Sequence, residues 1–471
     1  MHLHYLLFSC LPTLIQCASL PAPSSDLLRS LNLTVDELGA TVFSLLYGSL
    51  LLAFAHFANS TLAGLGSNVI GFQGTLSNAS THQVVRPNVD TVYATANYEL
   101  AATDLVLTVP PMEKDRYYAF SFFDPFGDDF VSLGNVDANA SGTYLVTADA
   151  CRDDYDGCVK SPTTIGTLLI RVAVKSNSTA DLADVDSFLS NSTFAAINPR
   201  NPTTPALTVA DFADLSNSTA ISTLQLMARL ESRAGPETAL FKAAVPAILE
   251  LAGIHHGSYS QPACVNLTHA SVLAETAVTA WSNSPSSYSD FGNGWISMNS
   301  STSGVFESGT DIVPRALVAE TLYLQNTVNN ALYPTLGSTN LSLTDSESYL
   351  FTFSGKPPVL DNGFWSLTMY DNEGWLVPNV ENTWAVGDRS NITYNDGSPV
   401  YGNGTEGSGS SQVLVQDAGV SPPSNWTANW LPAPPGGGPF TVTFRLYAPT
   451  DALSDGTYVY PVVTKAAAIT A

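Results

Sequence analysis

The sequence predicts an α+β chain rich in strands, and three observations predict it. Residues 83–175 alternate polar and apolar side chains at period two, residues 181–283 switch to helical spacing, and alternation returns in the C-terminal part. With 471 residues and 45% hydrophobic side chains, the chain can bury a large core and build two or three domains.

Residues 1–19, MHLHYLLFSCLPTLIQCAS, read as a secretory signal, an apolar run closed by the small residues Cys17, Ala18 and Ser19. Thr34 to Glu37 matches a capping box opening a helix that continues as TVFSLLYGSLLLAFAHF to about Phe57. That helix has no formal charge from Thr41 to Phe57 and is about as long as a short membrane span. Tyr47, Gly48, His56 and the polar flanks make it a core helix instead, so the mature chain is expected to have no membrane span.

In the first strand-rich region Arg86-Pro87-Asn88-Val89-Asp90 leads into a strand whose Thr91, Tyr93, Thr95 and Asn97 share a face. A second strand, RYYAFSFFD, runs from Arg116 to Asp124. In the helical region Leu226, Met227 and Leu230 form one apolar stripe and Phe241, Val245, Ile248 and Ala252 another, both read as core. Residues 284–312, rich in Ser, Gly and Asn, read as a connection, followed by a helix from about Val313 to Asn330. The expected organisation is a signal at 1–19, a helix plus β-rich domain at 20–175, a helical segment at 176–283, the connection, and a C-terminal β-rich domain at 313–471.

The rest is organised around Phe364 to Arg389, which reads as two strands joined by the turn Asp371-Asn372-Glu373-Gly374. Phe364, Ser366, Thr368 and Tyr370 share one face and Trp365, Leu367 and Met369 the other. A later run, FTVTFRLY, sends Phe440, Val442, Phe444 and Leu446 one way and Thr441, Thr443, Arg445 and Tyr447 the other. Paired in one sheet, the two runs are expected to bury the apolar face and leave a polar, aromatic, singly cationic surface for a ligand. Gly402 to Ser411 is a surface loop, and Pro432 to Gly438 a turn before the last long strand.

Acidic residues outnumber basic ones 41 to 17, and the net charge of −24 is spread without an acidic run. Phosphate binding needs clustered Lys and Arg, so nucleic acid is excluded as a partner. Acceptor triplets for N-glycosylation stand at Asn32, Asn59, Asn78, Asn139, Asn177, Asn191, Asn217, Asn266, Asn299, Asn340, Asn391, Asn403 and Asn425, a density that suits a secreted, extracellular glycoprotein. In such a compartment Cys151 and Cys158 pair across a short loop, leaving Cys264 as a buried thiol or an intermolecular risk.

RPNVDTVYATANYEL and DRYYAFSFFD resemble the family called domain of unknown function 1254. NGW at Trp295, GTDIVPRA, KPPVLDNGFWSLTMYDNEGWLVPN, VGDR, NWLPAPPGGGPF and FRLYAP, in that order, resemble its usual partner, domain of unknown function 1214. The resemblance implies antiparallel β-sandwich or jelly-roll domains with a helical insert, and no agreed reaction. GTDIVPRA departs from the pattern by lacking an aromatic before Arg315, and GTYVYPVV replaces a Trp-Pro-Pro ending.

The chemistry left open is narrow. The histidines have no metal-ligand spacing and none follows His269, no G-x-S-x-G elbow exists, and phosphate, nicotinamide and flavin fingerprints are absent, so no cofactor and no metal site is expected. Carboxylates, Arg, Tyr and amides remain. Asp90, Asp124 and Tyr93 are the candidates for acid-base catalysis, and Arg86, Asn88, Arg315, Tyr370, Asn429, Trp430, Arg445 and Tyr447 for holding a small polar or carbohydrate-like ligand. The structural alternatives are an Arg86–Asp90 pair with Asn88 on backbone, turn-capping by Asp371 and Asp388, a buried ion pair at Arg315 or Arg445, and a packed corner at Asn429 and Trp430. Two functions follow, a hydrolase or isomerase without a cofactor, and a glycan- or protein-binding structural glycoprotein.

Overall fold

The computed structural model describes residues 20–470 apart from 73, 83–85, 137–140, 177, 203–204, 213–218, 237, 256, 307–310, 338–340 and 403–408. The expected signal, the acceptors Asn139, Asn177, Asn217, Asn340 and Asn403, and most of the Gly402–Ser411 loop lie outside the described residues.

After α1 (Ala22–Ser30) comes α2 (Glu37–Leu65). Asp36, not Thr34, caps α2: its Oδ1 accepts from the Gly39 N–H at 3.0 Å, and the Thr34 hydroxyl donates to the same oxygen. A carboxylate at a helix N-terminus is the stronger acceptor, so the expected capping box does not form. By length and composition α2 could cross a membrane, but 78% of its most apolar window is buried inside the protein.

The N-terminal strands are β1 (Gly71–Phe72), β2 (Thr91–Glu99), β3 (Asp104–Val109), β4 (Tyr118–Phe123), β5 (Asp129–Gly134), β6 (Gly142–Thr147), β7 (Gly157–Lys160) and β8 (Ile165–Ala173). They form a sheet of order β1-β2-β8-β4-β5 and a second that includes β7-β6-β3. Val92, Ala94, Phe120, Phe122, Leu168 and Ile170 of the first meet Leu105, Leu107 and Val146 of the second in one core, with α3 (Thr179–Asn191) covering it through Val185 and Phe188.

The region read as helical contains a strand, β9 (Thr193–Ile197), which returns to pair with β3 at the edge of the second sheet. Its five residues, TFAAI, are mostly exposed and too few to show a period. Then follow α4 (Ala220–Leu230), α5 (Ala239–Leu251), the hairpin β10 (Ile254–His255) and β11 (Ser258–Tyr259), and α6 (Leu267–Ser282). Both apolar stripes lie in the core these helices share with α2.

The stretch expected to be a connection holds a hairpin, β12 (Tyr288–Gly292) and β13 (Trp295–Met298), and Trp295 sits in the C-terminal core. α7 (Ile312–Thr321) stops well before Asn330. Leu324 takes a left-handed backbone, φ 63°, and its carbonyl accepts from Arg171 at 2.6 Å, which a continuing helix would forbid.

The remaining strands are β14 (Ala331–Leu332), β15 (Thr335–Leu336), β16 (Leu341–Leu343), β17 (Glu347–Phe353), β18 (Val359–Asp371), β19 (Ala385–Gly387), β20 (Ser411–Asp417), β21 (Trp430–Ala433), β22 (Gly438–Pro449) and β23 (Val462–Ala467). The sheet β14-β22-β18-β19 packs on the sheet β21-β20-β17-β23 through Trp365, Leu367, Phe444 and Leu446 against Phe351, Phe353, Val413 and Val415. As expected from alternation, β18 and β22 are antiparallel neighbours, with Ser366 opposite Arg445 and Thr368 opposite Thr443. The turn Asp371–Gly374 closes on the Asp371 carboxylate, which accepts from the Glu373 and Trp375 N–H groups. The second strand of the pair is shorter than expected, a single bridge at Leu376 and then β19.

The two sandwiches stand back to back. Tyr117, Ala119 and Ala173 of the N-terminal sheet touch Phe364, Tyr447 and Ala448 of the C-terminal one. The polar face of β18 and β22, expected as a polar surface for a ligand, is therefore roofed by a second sheet.

Gly387 tests this architecture. A Cβ there would stand 2.0 Å from the Trp365 carbonyl oxygen, a backbone atom that cannot swing away. Gly387→Ala is expected to lose about 1–3 kcal/mol in urea unfolding; wild-type stability would contradict the β18–β19 pairing.

Candidate functional site

The seam between the two sandwiches collects most of the residues singled out in the sequence, and Arg86 to Asp90 is its central thread. Arg86 adopts φ 54°, donates its N–H to Gly374 O at 2.9 Å and accepts on its carbonyl from Arg445 Nη2 at 3.1 Å. Pro87 O accepts from the Tyr370 hydroxyl at 2.7 Å. Asn88 Oδ1 accepts from the Asp90 N–H at 2.6 Å, and its Nδ2 donates to the Tyr447 hydroxyl at 2.5 Å. Asp90 Oδ2 accepts from Ser366 Oγ at 2.6 Å, while Oδ1 pairs with Arg389 Nη2. The expected Arg86–Asp90 pair is replaced by Arg389–Asp90. Arg389 also reaches Val174 O at 2.7 Å and lies 4.2 Å above the Phe364 ring.

A second cluster stands on the N-terminal sheet. Arg171 lies on β8 opposite Tyr93 on β2 and Ala119 on β4, so its guanidinium points into the seam. It donates to Leu324 O and to Asn326 Oδ1, with its Cζ 5.8 Å from the Tyr93 ring centre. Asn326 Nδ2 reaches the Tyr117 and Tyr333 hydroxyls at 3.5 and 3.4 Å. Ser121 and Ser132 share a hydrogen bond of 2.7 Å, and Ser132 donates to Asp129 at 3.1 Å.

Burial sets the protonation states here. It pushes the Tyr117 and Tyr447 phenols well above their usual range, raises Tyr333, and lifts Tyr370 to about 12 against the pull of Arg445. These phenols are proton donors and poor bases. Burial works against the charge on Arg171 and Arg445, yet both are held above the ordinary guanidinium range and stay protonated. Burial also pushes Asp129 up to about 7, against the opposing pull of Arg171 and Ser132, and Asp388 up to about 6.

The structure thus brings together Arg86, Asn88, Asp90, Tyr93, Tyr370, Arg445 and Tyr447. It leaves out four others. Asp124 is fully buried with Oδ1 accepting from the Phe126 and Asp128 N–H groups, so it holds its own turn, a task the sequence reading gave to Asp371 and Asp388. Arg315 packs between the Phe126 and Phe306 rings beside the helical core. Asn429 bonds Thr393 and Gln412 backbone groups, and Trp430 is buried beside it, a packed corner on the far sheet.

Sequence reasoning missed Arg171, Arg389, Asp129, Tyr117, Tyr333 and Asn326. A signal existed for Arg171, the one charge in IGTLLIRVA, a strand buried at all nine positions. Two surface hollows, of about 350 Å³ beside Glu275 on α6 and about 300 Å³ between Glu99 and Arg233, lie away from the seam. Neither gathers a comparable set of polar groups, so we place the site in the seam. Elsewhere, Cys151 and Cys158 are bonded, and Cys264 is an exposed free thiol rather than a buried one. Asn32, Asn78, Asn191, Asn266, Asn391 and Asn425 are exposed, whereas Asn59, within α2, and Asn299 are half-buried.

Residues 67–195 match the family model described as protein of unknown function DUF1254, and residues 330–451 the one described as protein of unknown function DUF1214. Among solved structures, the VPA0106 protein from Vibrio parahaemolyticus is similar in fold at a TM-score of 0.60 and 17% identity, over 91% of this chain and 99% of that one. An uncharacterised protein from Burkholderia cenocepacia aligns at a TM-score of 0.40 and 12% identity, over 94% of this chain and 96% of that one. No curated protein matches.

Two predictions follow from the seam. Asp90→Asn leaves Arg389 with only the more distant Asp388 carboxylate, at 3.7 Å, and is expected to lose about 3 kcal/mol, read by urea unfolding; a neutral outcome would mean the Asp90–Arg389 pair does not hold the sandwiches. Asp129 holds its proton more tightly folded than unfolded. Its contribution to stability is therefore complete below about pH 4, the ordinary carboxyl value, and is lost as pH rises to about 7. In Asp129→Asn the fall of unfolding free energy with pH over that window should be shallower by up to ~1.4 kcal/mol per pH unit. Parallel slopes would show that Asp129 is not buried as described.

Proposed function

Because the chain carries DUF1254 followed by DUF1214, whose descriptions name no reaction, we propose its function from the geometry of the seam. It is a secreted, N-glycosylated protein that admits a small polar molecule between its sandwiches and acts on it by proton transfer, as a hydrolase or isomerase, without an organic cofactor. One observation carries the reading. Thr91 Oγ1, Thr368 Oγ1 and Arg445 Nη1 are buried without hydrogen-bond partners, and all three belong to the seam-side faces of their strands. Buried polar groups are almost always satisfied, so three orphans on facing surfaces mark a place where a guest supplies the partner. Tyr93 and Tyr333 are half-exposed where Tyr117, Tyr370 and Tyr447 are buried, and this is the side on which a molecule enters.

The roles differ from those expected from the sequence. Asp90 has both oxygens engaged, and Asp124 serves its turn. The phenols supply protons, and Asp129, poised at about 7, is the group that exchanges one near neutrality. The competing reading, a binding glycoprotein with an open aromatic shelf, finds little support, since Trp430, Tyr370 and Tyr447 are all buried.

The test is a screen of esters, lactones, glycosides and enolisable carbonyl compounds with the secreted protein, followed by Tyr93→Phe and Asp129→Asn. Turnover is expected to fall by about 10²-fold or more in each with the far-ultraviolet spectrum unchanged. Full turnover in both variants would remove the seam from the mechanism. Removal of N-linked sugars from the same preparation is expected to lower its mass, and an unchanged mass would refute the glycoprotein reading.

A further inference from the structure

We infer that the molecule bound in the seam is a monoanion carrying a carboxylate, gripped by Arg445 and Arg171. The inference rests on the seam reading above and adds the ligand's chemical class. In a chain with a net charge of −24 and only 17 basic residues, four guanidiniums gather here, Arg86, Arg171, Arg389 and Arg445. Among the described residues only Arg389 of these four has carboxylates within ion-pair distance, Asp90 and Asp388. Arg171 is answered by a carbonyl and an amide, and Arg445 by the Arg86 carbonyl and by the ring and hydroxyl of Tyr370. Arg86 stands close to Tyr370 and Arg445.

Four cations thus face at most three carboxylates, Asp90, Asp388 and Asp129. The surplus is at least one positive charge, in a place where burying an unpaired charge is costly. A monoanion balances that surplus when Asp129 is ionised, and the preference for a carboxylate over a phosphate rests on shape. Arg445 Nη1 is the unfilled donor, and the planar guanidinium matches a planar carboxylate. The neutral phenols of Tyr333 and Tyr447, whose electrostatic neighbours include both Arg171 and Arg445, add hydroxyl donors toward the same oxygens.

The experiment titrates the full chain with benzoate, its neutral isostere benzamide, acetate and inorganic phosphate, by calorimetry and by thermal shift. Benzoate and acetate are expected to bind and raise Tm, and benzamide and phosphate to do neither. Arg445→Gln should weaken benzoate at least tenfold, and Arg445→Lys, which keeps the charge without the fork, by a smaller factor. Tyr333→Phe, which disturbs the fold least, should weaken it several-fold. Tighter binding of phosphate than benzoate would overturn the carboxylate assignment. Equal binding of benzamide and benzoate, both weakened by Tyr333→Phe, would overturn the charge argument and leave the seam as the site. Benzoate binding unmoved by all three variants would overturn the seam reading itself, and no binding by either carboxylate would overturn the inference.

Discussion

The Asp90 carboxylate, held between Arg389 and Ser366, is the contact on which the relation of the two sandwiches depends. Each sandwich has its own apolar core, and a small apolar patch, Tyr117, Ala119 and Ala173 against Phe364, Tyr447 and Ala448, lies between them. Beside that patch runs a row of polar contacts from Arg86 to Asp90, nearly every residue of which answers a group on β18, β19 or β22 or just beyond them. Such contacts add little net stability, since desolvation cancels much of their attraction, but a misplaced carboxylate or guanidinium is heavily penalised. Polar seams therefore select one arrangement among many compact ones.

That logic explains why the same strand carries two different faces. Trp365, Leu367 and Met369 pack into a core that tolerates small shifts, whereas Ser366, Thr368 and Tyr370 meet partners at hydrogen-bond distance or wait for one. β22 repeats the division, with Phe444 and Leu446 inward and Arg445 and Tyr447 outward. A second sheet laid over a polar face leaves room only where side chains do not meet. At Asp90 both carboxylate oxygens are met, while the Thr91 hydroxyl beside it is not. Toward Arg171, Tyr93 and Tyr333 they meet through phenols, with solvent reaching two of the rings.

Much of this was legible along single strands and little of it between them. Alternation told which residues share a face, because period two is a property of the extended backbone. It could not tell what covers that face, because the cover comes from residues nearly three hundred positions away, as Arg389 does for Asp90. The α7 helix was read too long because the break at Leu324 is imposed by Arg171 on another element. β9 was missed because an exposed edge strand of five residues has no pattern of its own. The capping box failed for a local reason that was legible, since Asp36 stands two residues beyond Thr34 and is the better acceptor.

Asp124 and Asp129 show how two buried carboxyl groups of one turn come to differ. Both are buried acids at the two ends of the same β4–β5 turn. Asp124 turns an oxygen toward the Phe126 and Asp128 N–H groups, which fix it in its turn. At Asp129 desolvation prevails over Arg171, the Ser132 hydroxyl and a backbone hydrogen bond from Thr327, and its proton is held until about neutral pH. The phenols around it hold their protons far more tightly, which leaves Asp129, with Asp388, as the seam groups whose charge changes between mildly acidic and neutral pH. Asp129 stands on the strand that flanks Arg171 through β4, so this carboxyl group and that guanidinium are held in one sheet.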